Sequence, residues 1–263
     1  MPAHSKHENC EPHWQRNLLV CLFGSFTTLV AMTLMLPFLP LYVQQLGAQG
    51  QASIAQWSGI AYGATFLTAG LVAPLWGRLG DRYGRKLMLV RASLGMAITM
   101  ALIGCACTLW QLVGLRLLAG LAGGYSSGAT TMVAAQAPRN RSAWALGLLA
   151  SGVMAGNLAG PLIGGFLPPL IGIRMTFFGA GSLIFIAFLA TVLLVRETPR
   201  VPASGGLARG RWADIPNKCL VFTMLGTWLL LMIAIMSIEP IITLYIQTLT
   251  VDPTWITWIA GVA

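Results

Sequence analysis

Charge is what this sequence has least of. Only 9% of its 263 residues are charged, and seven of those are acidic, whereas a soluble globular domain carries roughly 25%. So few charges cannot cover the surface of a water-soluble protein of this length. The five cysteines (Cys10, Cys21, Cys105, Cys107, Cys219) form no CxxC pair and no even framework, so a disulfide scaffold is unsupported. Thirty glycines follow no period of three, which excludes collagen, and a 56% hydrophobic content excludes disorder. No Ser/His/Asp set, metal cluster or phosphate-binding loop falls within the apolar stretches, so neither an enzyme nor a cofactor site is indicated. What remains is an all-α polytopic membrane protein with a mean hydropathy of +0.75 and room for about six to eight spans.

The charges present are mostly basic, and their positions argue against nucleic acid. Thirteen Arg and three Lys gather in short clusters between long uncharged runs. Those runs cover about Asn17–Val43, Ala55–Trp76, Leu87–Cys107, Leu109–Ala134, Ala143–Leu170, Thr176–Val195 and Lys218–Leu249, with an eighth starting near Trp255. Each complete run is long enough to cross a hydrocarbon core about 30 Å thick as a helix, which satisfies its own backbone there. The polar leader of some 16 residues does not read as a cleavable signal, and the apolar segment it runs into is expected to be a retained first span.

With the N-terminus inside, Lys6, Arg16, Arg78, Arg82, Arg85, Lys86, Arg91, Arg139, Arg141, Arg196, Arg200, Arg209, Arg211 and Lys218 fall on the inner side. Only Arg174 falls outside, and Arg116 lies within a span. That bias predicts a cytoplasmic N-terminus. It divides the chain into a six-span bundle over 1–196, a polar Pro/Gly/Arg linker over 197–217, and the start of a second bundle over 218–263.

An internal repeat supports the division. Pro37-Phe38-Leu39-Pro40-Leu41-Tyr42-Val43-Gln44-Gln45-Leu46 recurs as Pro240-Ile241-Ile242-Thr243-Leu244-Tyr245-Ile246-Gln247-Thr248-Leu249, with Pro, Leu, Tyr, Gln and Leu at one constant offset. Chance similarity of two apolar helices is the alternative, but both segments end the first span after a cytoplasmic stretch. Parallel repeats of this kind are a transporter architecture. Two such units need about 400 residues, so the chain is expected to be a part of a longer design.

The stretch after span 2 reads Gly77-Arg78-Leu79-Gly80-Asp81-Arg82-Tyr83-Gly84-Arg85-Lys86. It resembles the loop between helices 2 and 3 of the major facilitator superfamily, G-x-x-x-D-R-x-G-R-[RK]. Its glycines suit a tight turn, and Asp81 can cap the next helix or pair with a neighbouring Arg. The bland alternative is a topogenic basic loop, which would not need Asp81, Gly77 and Gly84 at fixed spacing. In that family Gly77, Asp81, Arg82, Gly84, Arg85 and Lys86 would latch two bundles in one access state. The resemblance implies the major facilitator fold, here as a complete N-terminal six-helix bundle plus helix 7 and the start of helix 8.

Span 5 carries Gly147, Gly156, Gly160, Pro161, Gly164 and Gly165, similar to the G-x8-G-x3-G-P-x2-G-G signature of that superfamily's drug:proton antiporters. Independently, Gly152, Gly156, Gly160 and Gly164 recur every four residues and make a smooth face for close helix contact. Pro161 favours a bend. Generic small-residue packing is the alternative reading.

Span 4 contains Arg116-x3-Gly120-x3-Gly124, similar to the family's membrane-embedded Arg, which the resemblance associates with proton coupling. A guanidinium there faces a cavity or a partner, or else snorkels to the interface. Glu239 is the single acidic residue inside an apolar run, about 20 residues into span 7 and thus roughly 30 Å along it. The hypothesis is that Glu239 carries the proton and Arg116 modulates it; a carboxylate already wet at the outer surface is the alternative. Span 1 lacks the acidic residue that several such antiporters carry.

His4, His7, Cys10 and His13 share a spacing of three but sit in a short polar leader with no fold to hold a metal. Trp57, Trp110 and Trp255 read as interface anchors. Trp14-x-Arg16-Asn17-Leu18, Pro138-Arg139-Asn140 and Trp144-Ala145-Leu146-Gly147 are further short matches to multidrug members of the superfamily.

The resemblance therefore implies proton-coupled export of drug-like, lipophilic small molecules by alternating access. The proton gradient would be the energy source with no cofactor, and the setting a bacterial inner membrane. A symporter or uniporter of a polar metabolite, and a non-transporting membrane fragment, are the other two readings.

Overall fold

The computed structural model describes residues 13–197, 219–231 and 234. The chain divides into two compact units, Met1–Glu197 and Thr198–Ala263. The described part of the second is an apolar helix, Cys219–Leu231. The rest of span 7 with Glu239, the linker, His4, His7, Cys10 and Trp255 lie outside the described residues.

The described residues of the first unit form eight helices joined by short turns: α1 (Trp14–Thr33), α2 (Leu39–Gln45), α3 (Gln51–Tyr83), α4 (Arg85–Gly104), α5 (Leu109–Ala122), α6 (Tyr125–Gln136), α7 (Ser142–Ile171) and α8 (Ile173–Leu194). Of these, α1, α3, α4, α7 and α8 are long and apolar enough to cross a membrane. The apolar runs predicted these places, and two of the six spans prove to be broken.

Span 1 breaks because proline removes donors. Pro37 and Pro40 lack the N–H groups that Thr33 and Leu36 would need as partners. The carbonyl of Thr33 takes the N–H of Leu36 instead, Met35 accepts from Phe38 and Leu39, and the helix restarts as α2. Span 4 breaks at Gly123-Gly124, giving α5 and α6. Span 2 is longer than its apolar run, because α3 continues through the polar stretch as far as Tyr83. In α7 the helix runs unbroken through Pro161, Pro168 and Pro169.

The principal neighbours are α1 with α7 and α8, α4 with α8, and α3 with α5. Two apolar clusters fill the interior. One gathers Leu34, Met35, Phe38, Tyr42, Met100, Ile103 and Phe177; the other gathers Trp14, Leu18, Cys21, Leu89, Tyr125, Met132 and Leu149. The Tyr42 hydroxyl donates to the Ile103 carbonyl at 2.6 Å near the end of α4, and its ring meets Phe177 at 5.3 Å. Large apolar side chains such as Leu71, Trp110, Met154, Leu170 and Leu193 point outward. In water that surface would be a liability; in a hydrocarbon core it is the expected exterior.

Candidate functional site

The α1–α7 seam follows from the four-residue glycine period. Gly156, Gly160 and Gly164 are buried on one face of α7, with Gly152 beside them. A Cβ at Gly156 would stand 2.8 Å from the Phe26 carbonyl oxygen and 2.9 Å from Leu29 Cβ. At Gly160 it would overlap the Thr33 hydroxyl, at Gly164 the Leu34 carbonyl, and at Gly152 the Leu22 side chain. Only glycine lets the two backbones approach this closely. Gly147 does not share the contact, since a Cβ there would have nothing within 4 Å. Pro161 and Gly165 are half-buried beside the seam.

Arg116 sits two turns into α5 and is 2% exposed. Its Nη2 contacts the Met35 sulfur at the α1–α2 break, and Tyr62 of α3 lies within electrostatic reach. Nε has no hydrogen-bond partner among the described residues. The guanidinium thus turns into the bundle and does not extend to an interface, as the snorkelling alternative required. One turn on, Gly120 packs against the Thr65 carbonyl and the Thr68 hydroxyl of α3, and Thr68 donates to the Leu117 carbonyl at 3.0 Å. This close contact fixes the face of α5 that carries Arg116.

The Gly77–Lys86 stretch is not a loop. Gly77, Asp81 and Arg82 are helical residues of α3, and a single residue, Gly84 at φ +109°, separates α3 from α4. That φ suits glycine alone. The N-cap position of α4 is Gly84, which has no side chain to offer, and Asp81 belongs to the last turns of the preceding helix. The cap comes from elsewhere: Glu197 Oε1 accepts the Arg85 backbone N–H at 2.7 Å. A carboxylate there complements the positive end of the helix.

Arg85 and Lys86 act within this bundle. Arg85 Nη1 donates to the Thr131 carbonyl of α6 at 2.7 Å, and Lys86 Nζ to the Val192 carbonyl at the end of α8 at 2.8 Å. Next to them Asn17, 2% exposed, donates to Gln136 Oε1 and to the Arg196 carbonyl, both at 2.8 Å. Its own oxygen accepts the Arg196 N–H at 3.1 Å. Asn17→Ala strands these partners and is expected to destabilise the bundle by about 1–3 kcal/mol, read as a lower melting temperature in detergent. A melting temperature equal to the parent's would refute the network's importance.

Residues 21–263 match the Major Facilitator Superfamily. The chain belongs to that superfamily. It is 43% identical over 250 residues to the multidrug resistance protein MdtG of Dickeya zeae, covering 94% of this chain and 61% of that protein. With MdtG of Klebsiella pneumoniae it shares 43% over 251 residues, 95% of this chain and 61% of the relative. The chain therefore spans about three-fifths of the length of these relatives.

Two solved structures share the fold. Human MFSD10, an organic anion transporter, aligns at a TM-score of 0.62 and 21% identity over 72% of this chain and 49% of its own. A bacterial homologue of the lysosomal transporter Spinster, inward-facing, aligns at 0.63 and 19% over 72% and 44%. The chain is accordingly a multi-pass membrane protein of a transporter superfamily.

Seen as a superfamily bundle, the molecule separates residues that one motif had grouped. Arg85 and Lys86 hold α4 to α6 and α8, while Gly77 and Arg82 remain on the α3 side of Gly84. Glu197 and Gln136 carry no local signal in the sequence, and Asn17 shows only as part of a short match. Their partners lie more than one hundred residues away for Glu197–Arg85 and Asn17–Gln136, and only the Asn17 position, polar at the start of an apolar helix, hinted at a role.

Proposed function

We propose that this chain forms the N-terminal bundle and the start of the second bundle of a proton-coupled multidrug exporter that works by alternating access. The observation that carries the reading is the α7 glycine face seated on α1, built from positions that resemble the antiporter signature. The kinship to MdtG proteins supports a drug-like, lipophilic substrate. A seam of backbone against backbone keeps α1 and α7 moving as one body, as a rocking bundle requires.

In this mechanism the bundle supplies one wall of a midplane cavity and a second bundle supplies the other. Arg116 is a buried cation inside this bundle, and Glu239 is the carboxylate that takes up and releases the proton, with Arg116 modulating it. Gly77, Asp81, Arg82, Gly84, Arg85 and Lys86 keep the latching role between access states that the family resemblance implies. The gradient drives the cycle without a bound cofactor. The setting is a bacterial inner membrane with the N-terminus in the cytoplasm, supported by the basic bias of one side.

The test uses bacteria lacking their main efflux pumps. The chain, expressed alone and fused to the C-terminal bundle of a multidrug relative, is expected in the fused form to lower accumulation of a lipophilic cationic dye. A protonophore should abolish the effect. Unchanged accumulation in both forms would reject the proposal. In the same cells a single cysteine at Arg141 should be closed to an impermeant maleimide in intact cells, and labelling from outside would reject the orientation.

A further inference from the structure

The break in span 4 leaves a specific physical problem. At Gly123-Gly124 the helical pattern stops, with Gly124 at φ +102° as the N-cap of α6. The Leu121 and Gly123 carbonyls lose their place in the ladder, and polar backbone left unpaired within an apolar span is costly. Arg91 of α4 answers both. Its Nη1 donates to Leu121 at 3.0 Å and its Nη2 to Gly123 at 2.9 Å. Trp76 of α3 completes the cap: its indole N–H donates to the same Leu121 carbonyl at 3.0 Å. The guanidinium stacks over the Trp76 ring at 3.5 Å from the centroid.

The geometry uses what arginine alone offers, a planar fork that spans two acceptors while one face lies on an aromatic ring. Sequence position had grouped Arg91 with the topogenic charges, yet it lies more than one turn into α4 and is committed to another helix. The clamp therefore joins three helices at the point where the fourth span is free to bend. Beyond that point the two halves share α4 and otherwise have different neighbours, α5 packing on α3 and α6 on α1 and α7.

We propose that Arg91 and Trp76 are positioning residues that lock the hinge of the fourth span, holding the half-helix that carries Arg116 in one orientation. Releasing the clamp frees α5 to tilt about Gly123-Gly124 relative to α6. The assignment rests on the broken helix and its capping donors, so it stands or falls separately from the transport reading.

The experiment is a spin-label distance measurement on the full chain in nanodiscs, with native cysteines replaced and labels at Gln111→Cys and Thr130→Cys. Both positions are exposed, on α5 and α6, and along a continuous helix would lie about 28 Å apart. The parent should give one narrow distance peak. Arg91→Met should broaden it or add a second, shifted peak. Arg91→Lys should fall between, since an ammonium lacks the fork. Trp76→Phe should widen it less, because Leu121 keeps its Arg91 bond.

A distribution for Arg91→Met identical to the parent's would overturn the proposal. Should Arg91→Met fail to purify as a monodisperse protein, Arg91→Lys and Trp76→Phe decide: parental peaks in both would overturn it equally.

Discussion

Gly164→Ala should cost this bundle more than any other single methyl group. The added Cβ would fall on the Leu34 carbonyl oxygen, a backbone atom that no rotamer change can move aside. The α1–α7 seam must open along its length, and overpacking of this kind costs about 1–3 kcal/mol, with backbone clashes at the upper end. For a unit of this size that is a fall of roughly 6–12 °C in melting temperature.

Gly147→Ala is the internal control. It lies on the same helix, resembles the same signature, and offers a Cβ open space. Alanine there gains up to about 1 kcal/mol of helix propensity. The measurement is a thermal-shift series on the purified chain: equal stability of the two variants would remove the seam from the account. A collapse confined to Gly164→Ala would show that the four-residue stripe holds the bundle while Gly147 serves something else.

That contrast also shows what the residues disclosed before the structure. Periodic patterns were legible because packing imposes them locally: the apolar runs located the spans, and the glycine stripe announced a close contact. The neighbour across the stripe was not legible, since nothing near Gly164 names Leu34. Local breakers were half legible. Pro37 and Pro40 were recognised only as part of a repeat, although two missing donors within one turn must interrupt a helix. Gly124 is legible as part of the Arg116 pattern but not as a helix break, because the apolar composition continues on both sides. Least legible were caps supplied from afar. Glu197 reads as a linker charge and Arg91 as a topology signal; their roles exist only once the fold brings helix ends to them.

Arg116→Met should separate function from stability. A guanidinium at 2% exposure with an unpartnered Nε is an expensive tenant of an apolar interior. Its replacement by an apolar group of similar length removes the desolvation penalty, and such exchanges of buried charge are often neutral or stabilising. The fold should therefore tolerate Arg116→Met, with a melting temperature at or above the parent's. The sulfur of Met35, its present neighbour, accepts a second thioether without an orphaned polar group.

Transport should not tolerate the change. In the fused exporter, dye efflux driven by a pH gradient is expected to fall at least about tenfold, equivalent to about 1.4 kcal/mol of lost coupling. Arg116→Lys should keep part of it, because the cation remains although the fork is gone. A residue kept for packing predicts the opposite pair of results, lower stability with efflux in proportion to folded protein. Thermal stability and efflux measured on the same three proteins distinguish the two. Full efflux from Arg116→Met would dismiss Arg116 from the coupling mechanism, leaving its burial without a functional reason.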